Sequence, residues 1–219
     1  MPQMSKPIIL AKENSVFNHF LAEIRDRKVQ QDRMKFRRNL ERVGEILAYE
    51  MSKKFKYDKV DVRTPLGTAE TSLFKAQPVI ATILRAGLPM HQGILNYFDH
   101  ADNAFVSAYR KSKKNDELEI IVEYMKSPSL KGRTLVISDP MLATGRSMIS
   151  SIQALLDNGK PAELHIVCLL ASQEGLEYVQ SHLPMKAKIW CGDVDPELNS
   201  KSYIIPGLGD AGDLAFGGD

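Results

Sequence analysis

The chain has 219 residues, 43% hydrophobic and 26% charged, and its 29 Lys and Arg stand against 27 Asp and Glu for a net charge of +2. At that length a core forms without staples, and so even a balance gives no footing for nucleic-acid binding. No apolar run reaches the ~18 residues of a membrane span, and the opening Met1–Lys6 precedes only a few apolar residues, so no signal peptide or membrane partner is expected.

In chain order, residues 33–55 read as a helix, because Phe36, Leu40, Val43, Leu47, Met51 and Phe55 recur at three- and four-residue spacing. Thr64–Thr68 breaks the chain. Val79–Leu84 reads as a buried strand, followed by a helix from about Pro89 to Tyr97 and a strand over Ala104–Tyr109. Arg110–Lys131 is a charged excursion with a β-rich centre at Ile120–Tyr124, read as a projecting hairpin. Thr134–Ser138 is a strand, Ser147–Asn158 a helix stopped by Gly159, Leu164–Leu170 a strand, Gln173–His182 a helix and Lys188–Cys191 a short strand. Buried strands alternating with helices imply an α/β fold, a parallel sheet flanked by helices. One domain over 1–219 is expected: an N-terminal helical extension over 1–56, a core over about 60–190 and a C-terminal hood over 191–219. The two cysteines, Cys168 and Cys191, form no C-x-x-C pair, and Cys168 lies in an apolar run, as for a buried free thiol in a reducing, cytoplasmic setting. The five histidines show no metal-ligand spacing, so no protein-held metal is expected, and His165 reads as a satisfied core residue.

Two loops carry the chemistry. In Asp139-Pro140-Met141-Leu142-Ala143-Thr144-Gly145-Arg146-Ser147 a strand runs into a helix start. Pro140 biases Asp139 to extended backbone, so its carboxylate projects from the strand end, where it can accept bonds from vicinal hydroxyls. Thr144, Gly145 and Ser147 gather N–H groups, hydroxyls and the positive end of a helix dipole, which suits a phosphate monoester. The same residues also suit a plain capped helix with Ser147 as the cap. The second loop is the glycine-dense Tyr203-Ile204-Ile205-Pro206-Gly207-Leu208-Gly209-Asp210-Ala211-Gly212-Asp213, whose composition fits neither helix nor sheet interior and leaves backbone groups bare to read a small polar ring.

The first loop resembles the phosphoribosyl-diphosphate (PRPP) loop of type I phosphoribosyltransferases, and its Asp-Pro-Met-Leu-Ala-Thr form is similar to that of the uracil phosphoribosyltransferases. Ile83-Leu84-Arg85-Ala86-Gly87-Leu88, Tyr109-Arg110 and the C-terminal block with Phe216-Gly217 agree in the same order, over roughly residues 7–217. The resemblance implies a type I phosphoribosyltransferase-like sheet with a projecting β-arm and a hood, and the salvage reaction of uracil with PRPP to give UMP and pyrophosphate. It implies PRPP held by Arg85, Arg110, Asp139, Pro140, Met141, Leu142, Ala143, Thr144, Gly145, Arg146, Ser147 and Asp210, with Asp139, Arg85 and Arg110 closest to the chemistry. It implies uracil held by Ile204, Gly209, Asp210 and Ala211, Mg²⁺ carried mainly by PRPP, a GTP activator, and a homodimer or higher homo-oligomer.

Two departures from the family's pattern stand out, Arg146 and the Ala81-Thr82 that stands where the family has Val-Pro, a strand-end change from which little is expected, and one cationic stretch has two readings. Arg146 occupies a position where the family usually has glycine; it is strained if the loop needs positive φ there, and a cation beside the phosphate if not. The cation-dense stretch from Arg25 through Arg33, Lys35, Arg37, Arg38 and Arg42 is either a solvated helix face or an effector or subunit contact. Asp213 reads as a loop cap.

Overall fold

The computed structural model describes residues 6–112 and 118–218, with the side chains of 109–121 outside the description. In chain order the strands are β1 (Ile8–Ile9), β2 (Tyr57–Thr64), β3 (Gly67–Phe74), β4 (Val79–Leu84), β5 (Asp102–Ser112), β6 (Leu118–Lys126), β7 (Thr134–Ser138), β8 (Met141–Leu142), β9 (Glu163–Ser172), β10 (Lys188–Asp195), β11 (Glu197–Leu198) and β12 (Ile204–Ile205). The helices are α1 (Val16–Arg25), α2 (Arg33–Ser52), α3 (Leu88–Leu95), α4 (Arg146–Leu156), α5 (Gln173–His182) and α6 (Ala211–Phe216).

The main sheet has the order β1-β10-β9-β7-β4-β5-β6, with β8 added beside β9. Its pairings are parallel except β5 with β6. Strand side chains alternate between two apolar layers. Ile80, Val136, Val167 and Trp190 pack with α1, α2 and α3 through Phe17, Phe36, Leu40 and Met90. Val79, Ala81, Leu135, Ile137 and Ile166 pack on the other face with α4 and α5 through Met148, Ile152, Leu155 and Val179. Both layers are closed to water, which is why β4, β7 and β9 are near-continuous apolar runs.

The expected strands and helices are present with shifted ends, and β1, α1, β2, β3, β8, β11, β12 and α6 are added to them. α1 precedes the expected helix; its Phe17, Leu21 and Ile24 are buried against α2. β10 runs four residues past Cys191, because Asp193 and Asp195 find a cation in Arg25. β2 and β3 form an exposed antiparallel hairpin around the Thr64–Thr68 break. The arm of β5 and β6 matches the projecting hairpin expected within Arg110–Lys131, of which residues 113–117 lie outside the described residues. Cys168 and Cys191, distant in sequence, are register partners on β9 and β10, and their free, buried thiols lie 3.4 Å apart. None of the helices among the described residues is long and apolar enough to cross a membrane.

Candidate active site

The parallel strands end where the site begins. β4 delivers Arg85 at its carboxyl end and β7 delivers Asp139, and the crevice beyond such ends is the usual place for a ligand in an open α/β sheet. From the other side come β12 and the start of α6. Together they enclose a cleft of about 580 Å³ lined by Arg85, Asp139, Met141, Ala143 and Ser147 on the sheet side and by Lys201–Ile204 and Gly209–Gly212 on the hood side. A second cavity of about 340 Å³ lies at the opposite, amino ends of β7 and β9, beside Lys56, Arg133 and Glu163, and none of the expected site residues lines it.

Asp139 is the floor of the cleft. Its Oδ1 accepts the Met141 N–H at 3.3 Å, closing a tight turn after β7. The residue keeps partial exposure toward the cleft, yet protein surrounds the carboxyl closely enough that desolvation pushes its pKa up to about 7, against the weaker pull of the Met141 N–H. No cation among the described residues bonds it. A carboxyl so placed takes up hydroxyl donors or a cation brought by a ligand.

The helix start beside it is built by Gly145. That residue is the N-cap of α4 at φ 73°, and a Cβ there would stand 2.7 Å from the Gly175 carbonyl of α5. The cap is therefore Gly145 and not Ser147, which sits one residue inside the helix and faces the cleft. The positive φ falls on Gly145, so Arg146 opens α4 without strain. Its exposed guanidinium lies over the Tyr178 ring at 5.3 Å, and its side chain does not line the cleft.

On the hood side Asp210 is the N-cap of α6, with Oδ1 accepting the N–H groups of Gly212 at 2.8 Å and Asp213 at 3.0 Å. Its other oxygen, Oδ2, receives the Tyr203 hydroxyl at 3.5 Å. Asp213 is not the cap; its carboxylate meets Arg85 at 3.5 Å across the cleft mouth. The Leu84–Arg85 and Ile205–Pro206 peptides are cis.

The family model for uracil phosphoribosyltransferase matches residues 11–218. The chain belongs to the uracil phosphoribosyltransferase family. It is 52% identical over 210 residues to the uracil phosphoribosyltransferase of Porphyromonas gingivalis (strain ATCC 33277), covering 96% of this chain and 97% of that one. It is 35% identical to the Sulfolobus acidocaldarius uracil phosphoribosyltransferase, with 98% of each chain covered. A solved Aquifex aeolicus structure superposes with a TM-score of 0.84 at 32% identity, covering 96% of this chain and 98% of that one. The mostly parallel sheet flanked by helices is the α/β architecture expected from the sequence.

Of the residues those motifs single out, Arg85, Asp139, Met141, Ala143, Ser147, Ile204, Gly209, Asp210 and Ala211 line one cleft. Pro140 and Leu142 are buried beneath it, with the Pro140 carbonyl accepting from the N–H groups of Leu169 and Leu170. Thr144 and Gly145 stand at the entrance to α4 without lining the cleft. Arg110 lies on β5, its backbone registered with Ile120, and its side chain is outside the described ones. Tyr203 and Gly212, named in the sequence only as members of the glycine-dense loop, also line the cleft, as do Lys201 and Ser202, which sequence reasoning passed over. A cation and a phenol directly before Ile204 were the available signal.

His165 is only half satisfied. Its Nδ1 accepts the Trp190 indole N–H at 3.1 Å, while Nε2 has Glu163 no nearer than 3.6 Å. Burial, aided by Lys188, drives its pKa down to about 4. The cationic face of α2 is neither bare nor uniform: Lys35 meets Glu23 at 2.7 Å, Arg38 meets Glu41 at 2.7 Å, and Arg37 donates to the Ala215 carbonyl at 2.6 Å, gripping the last turn of α6.

Proposed function

We infer that the chain is a pentosyltransferase of pyrimidine salvage, making UMP and pyrophosphate from uracil and PRPP. One observation carries the reading. Asp139 and Ser147, which we read as a sugar-phosphate cradle, and Gly209–Ala211, which we read as a base-reading turn, lie far apart in sequence and line one cleft in a chain that matches the family over 11–218.

The roles follow from the chemistry of each group. Asp139 accepts the ribose hydroxyls. The N–H groups from Thr144 to Ser147, that of Arg146 included, face the 5-phosphate with the dipole of α4 behind them. Pro140, Met141, Leu142 and Ala143 hold this loop against β9. Arg85, and Arg110 from β5, spread the charge of the departing pyrophosphate; guanidinium forks match phosphate oxygens. For Arg85 this means leaving Asp213 when the diphosphate arrives. Uracil sits against Ile204 and the backbone of Gly209, Asp210 and Ala211, with Asp210 also touching PRPP. Uracil's two carbonyls flanking an N–H suit fixed backbone partners, and cytosine reverses that pattern at two positions, leaving buried groups unpaired. C1′ develops positive charge as pyrophosphate leaves, so no strong protein nucleophile is needed.

Among the described residues no group of three or more His, Cys, Asp or Glu could hold a metal by itself, and Asp139, with the hydroxyl and backbone oxygens beside it, would help hold a Mg²⁺ that arrives with PRPP. That ion neutralises the leaving group's charge when bound. A cytoplasmic location fits the two free thiols. A GTP activator, a homodimer or larger assembly, and one catalytic domain running through the whole chain complete the reading; the exposed Val62, Leu66 and Leu73 of the β2–β3 hairpin offer apolar surface for such an assembly.

The test is direct: purified protein, PRPP, Mg²⁺ and labelled uracil should yield labelled UMP, and Asp139→Asn should lose about 100-fold or more of that turnover. PRPP binding with no UMP formed would point instead to a non-catalytic sensor of PRPP.

A further inference from the structure

The turn that faces the base is gripped from behind by side chains that never enter the cleft. Arg25, the last residue of α1, sends Nη1 to Asp195 Oδ2 at 2.8 Å and to the Gly207 carbonyl at 3.0 Å. Its Nη2 reaches Asp195 Oδ1 at 2.8 Å and Asp193 Oδ2 at 2.9 Å. Asp195 Oδ2 also accepts the Gly207 N–H at 2.9 Å. Gln30 is buried, and in the amide orientation that satisfies both its ends it donates to the Leu208 carbonyl at 2.9 Å and to Ile24 at 3.0 Å. The backbone groups just before Gly209 are thus held from outside the cleft, while Gly209 itself lines it.

These bonds lie where the backbone has least stiffness of its own. Gly207 and Gly209 have φ of 55° and 95°, and glycine gives no side-chain restraint. The Arg25 side chain is 20% exposed and that of Asp195 6%, so their two-pronged bond is little screened. Burial works against the Arg25 charge, but its bonds to Asp195 and Asp193 outweigh that and raise its pKa.

We propose that Arg25, Asp195 and Gln30 are positioning residues for base recognition, which set the place of the Gly209–Ala211 backbone through Gly207 and Leu208. The proposal rests on the uracil phosphoribosyltransferase reading above. Hydrogen bonds to a flat ring fail over shifts of about 1 Å, so a loosened turn weakens the hold on the base before it weakens the hold on PRPP.

Two variants test this. Arg25→Lys keeps a cation for Asp195 and loses the guanidinium fork that also reaches the Gly207 carbonyl. Gln30→Met removes the Leu208 bond with little change of volume and no change of charge. In each, the KM for uracil should rise about tenfold, as for loss of one bond worth ~1.4 kcal/mol, while kcat and the KM for PRPP stay within about twofold. Amide hydrogen exchange of the free protein should quicken over 203–212 and stay unchanged over 139–147. An unchanged uracil KM with unchanged exchange would overturn the proposal, as would an equal rise in both KM values or a loss confined to kcat. If Arg25→Lys does not fold, Gln30→Met decides alone. A wild-type protein that makes no UMP sinks the functional reading instead, and the exchange measurement still judges the clamp.

Discussion

Asp139 and His165 illustrate how much a single buried group can be bent by its surroundings. Folding raises the Asp139 pKa to about 7 from 3.8, so between those values the folded chain holds the proton more tightly than the unfolded chain, and this group's contribution to stability falls as pH rises. His165 moves from 6.5 to about 4, so the unfolded chain takes the proton first and its contribution is lost as pH falls through that window. The buried His91, whose pKa is lowered by desolvation, adds to the second effect. The two slopes oppose each other in wild type. In Asp139→Asn the opposing slope is gone, so the unfolding free energy from urea titrations should climb more steeply from pH 4.5 to 6.5 than in wild type, by up to ~1.4 kcal/mol per pH unit, and the variant should exceed wild type in stability at pH 8. Parallel pH profiles for the two proteins would remove Asp139 from this account. The identity of the carboxylate was legible from its place before Pro140, but its titration was not, because that depends on what packs around it. Arg146 is a similar case. Sequence posed strain against a phosphate contact; the structure puts the positive φ on Gly145 and the guanidinium on Tyr178. Arg146→Gly should therefore alter the KM for PRPP by less than about threefold, while costing ~1 kcal/mol of stability for a glycine in the first turn.

At the scale of elements, legibility followed burial. β4, β7 and β9 show as uninterrupted apolar runs because both their faces are covered, and α2 shows because one stripe of it is. The β2–β3 hairpin gave no such signal: nearly all its residues are exposed, so nothing selects apolar side chains at either phase of the pleat. β10 was cut short for a related reason, since the carboxylates at its end look like loop residues until Arg25 is seen beside them. The docking of α6 was likewise hidden, because it depends on a cation of α2 reaching a carbonyl near the other end of the chain. Replacing that cation, Arg37→Met, should leave the far-UV spectrum unchanged, cost ~1.5–3 kcal/mol for a charged hydrogen bond, and show its effect in the turn from Asp210 onward. A melting temperature within a degree of wild type would mean that α6 holds to α2 by its apolar contacts alone.

For the molecule as a whole, the order of strands brings Arg85, Asp139 and Ser147 to one rim, and the facing wall of the cleft comes from residues 201–204 and 209–212. A ligand spanning the two should knit them together. Saturating PRPP and Mg²⁺ at about 100 times the dissociation constant should add ~2.7 kcal/mol to the unfolding free energy, read as a rise in melting temperature that uracil alone does not match. The parallel sheet could be anticipated from alternating runs, yet its strand order could not, since apolar strands carry no label for their neighbours.

The two residues of β1 have a consequence out of proportion to their number. By pairing with Trp190 and Cys191 they occupy the outer hydrogen-bonding rim of β10, which would otherwise stand open to any passing extended peptide. Removing the chain up to Ile9 should leave turnover nearly intact at first and make the protein turbid on standing, as naked strand rims find one another. Light scattering against time, with lysine placed at 8 and 9 as the comparison, would show whether this short segment serves to keep copies of the enzyme apart.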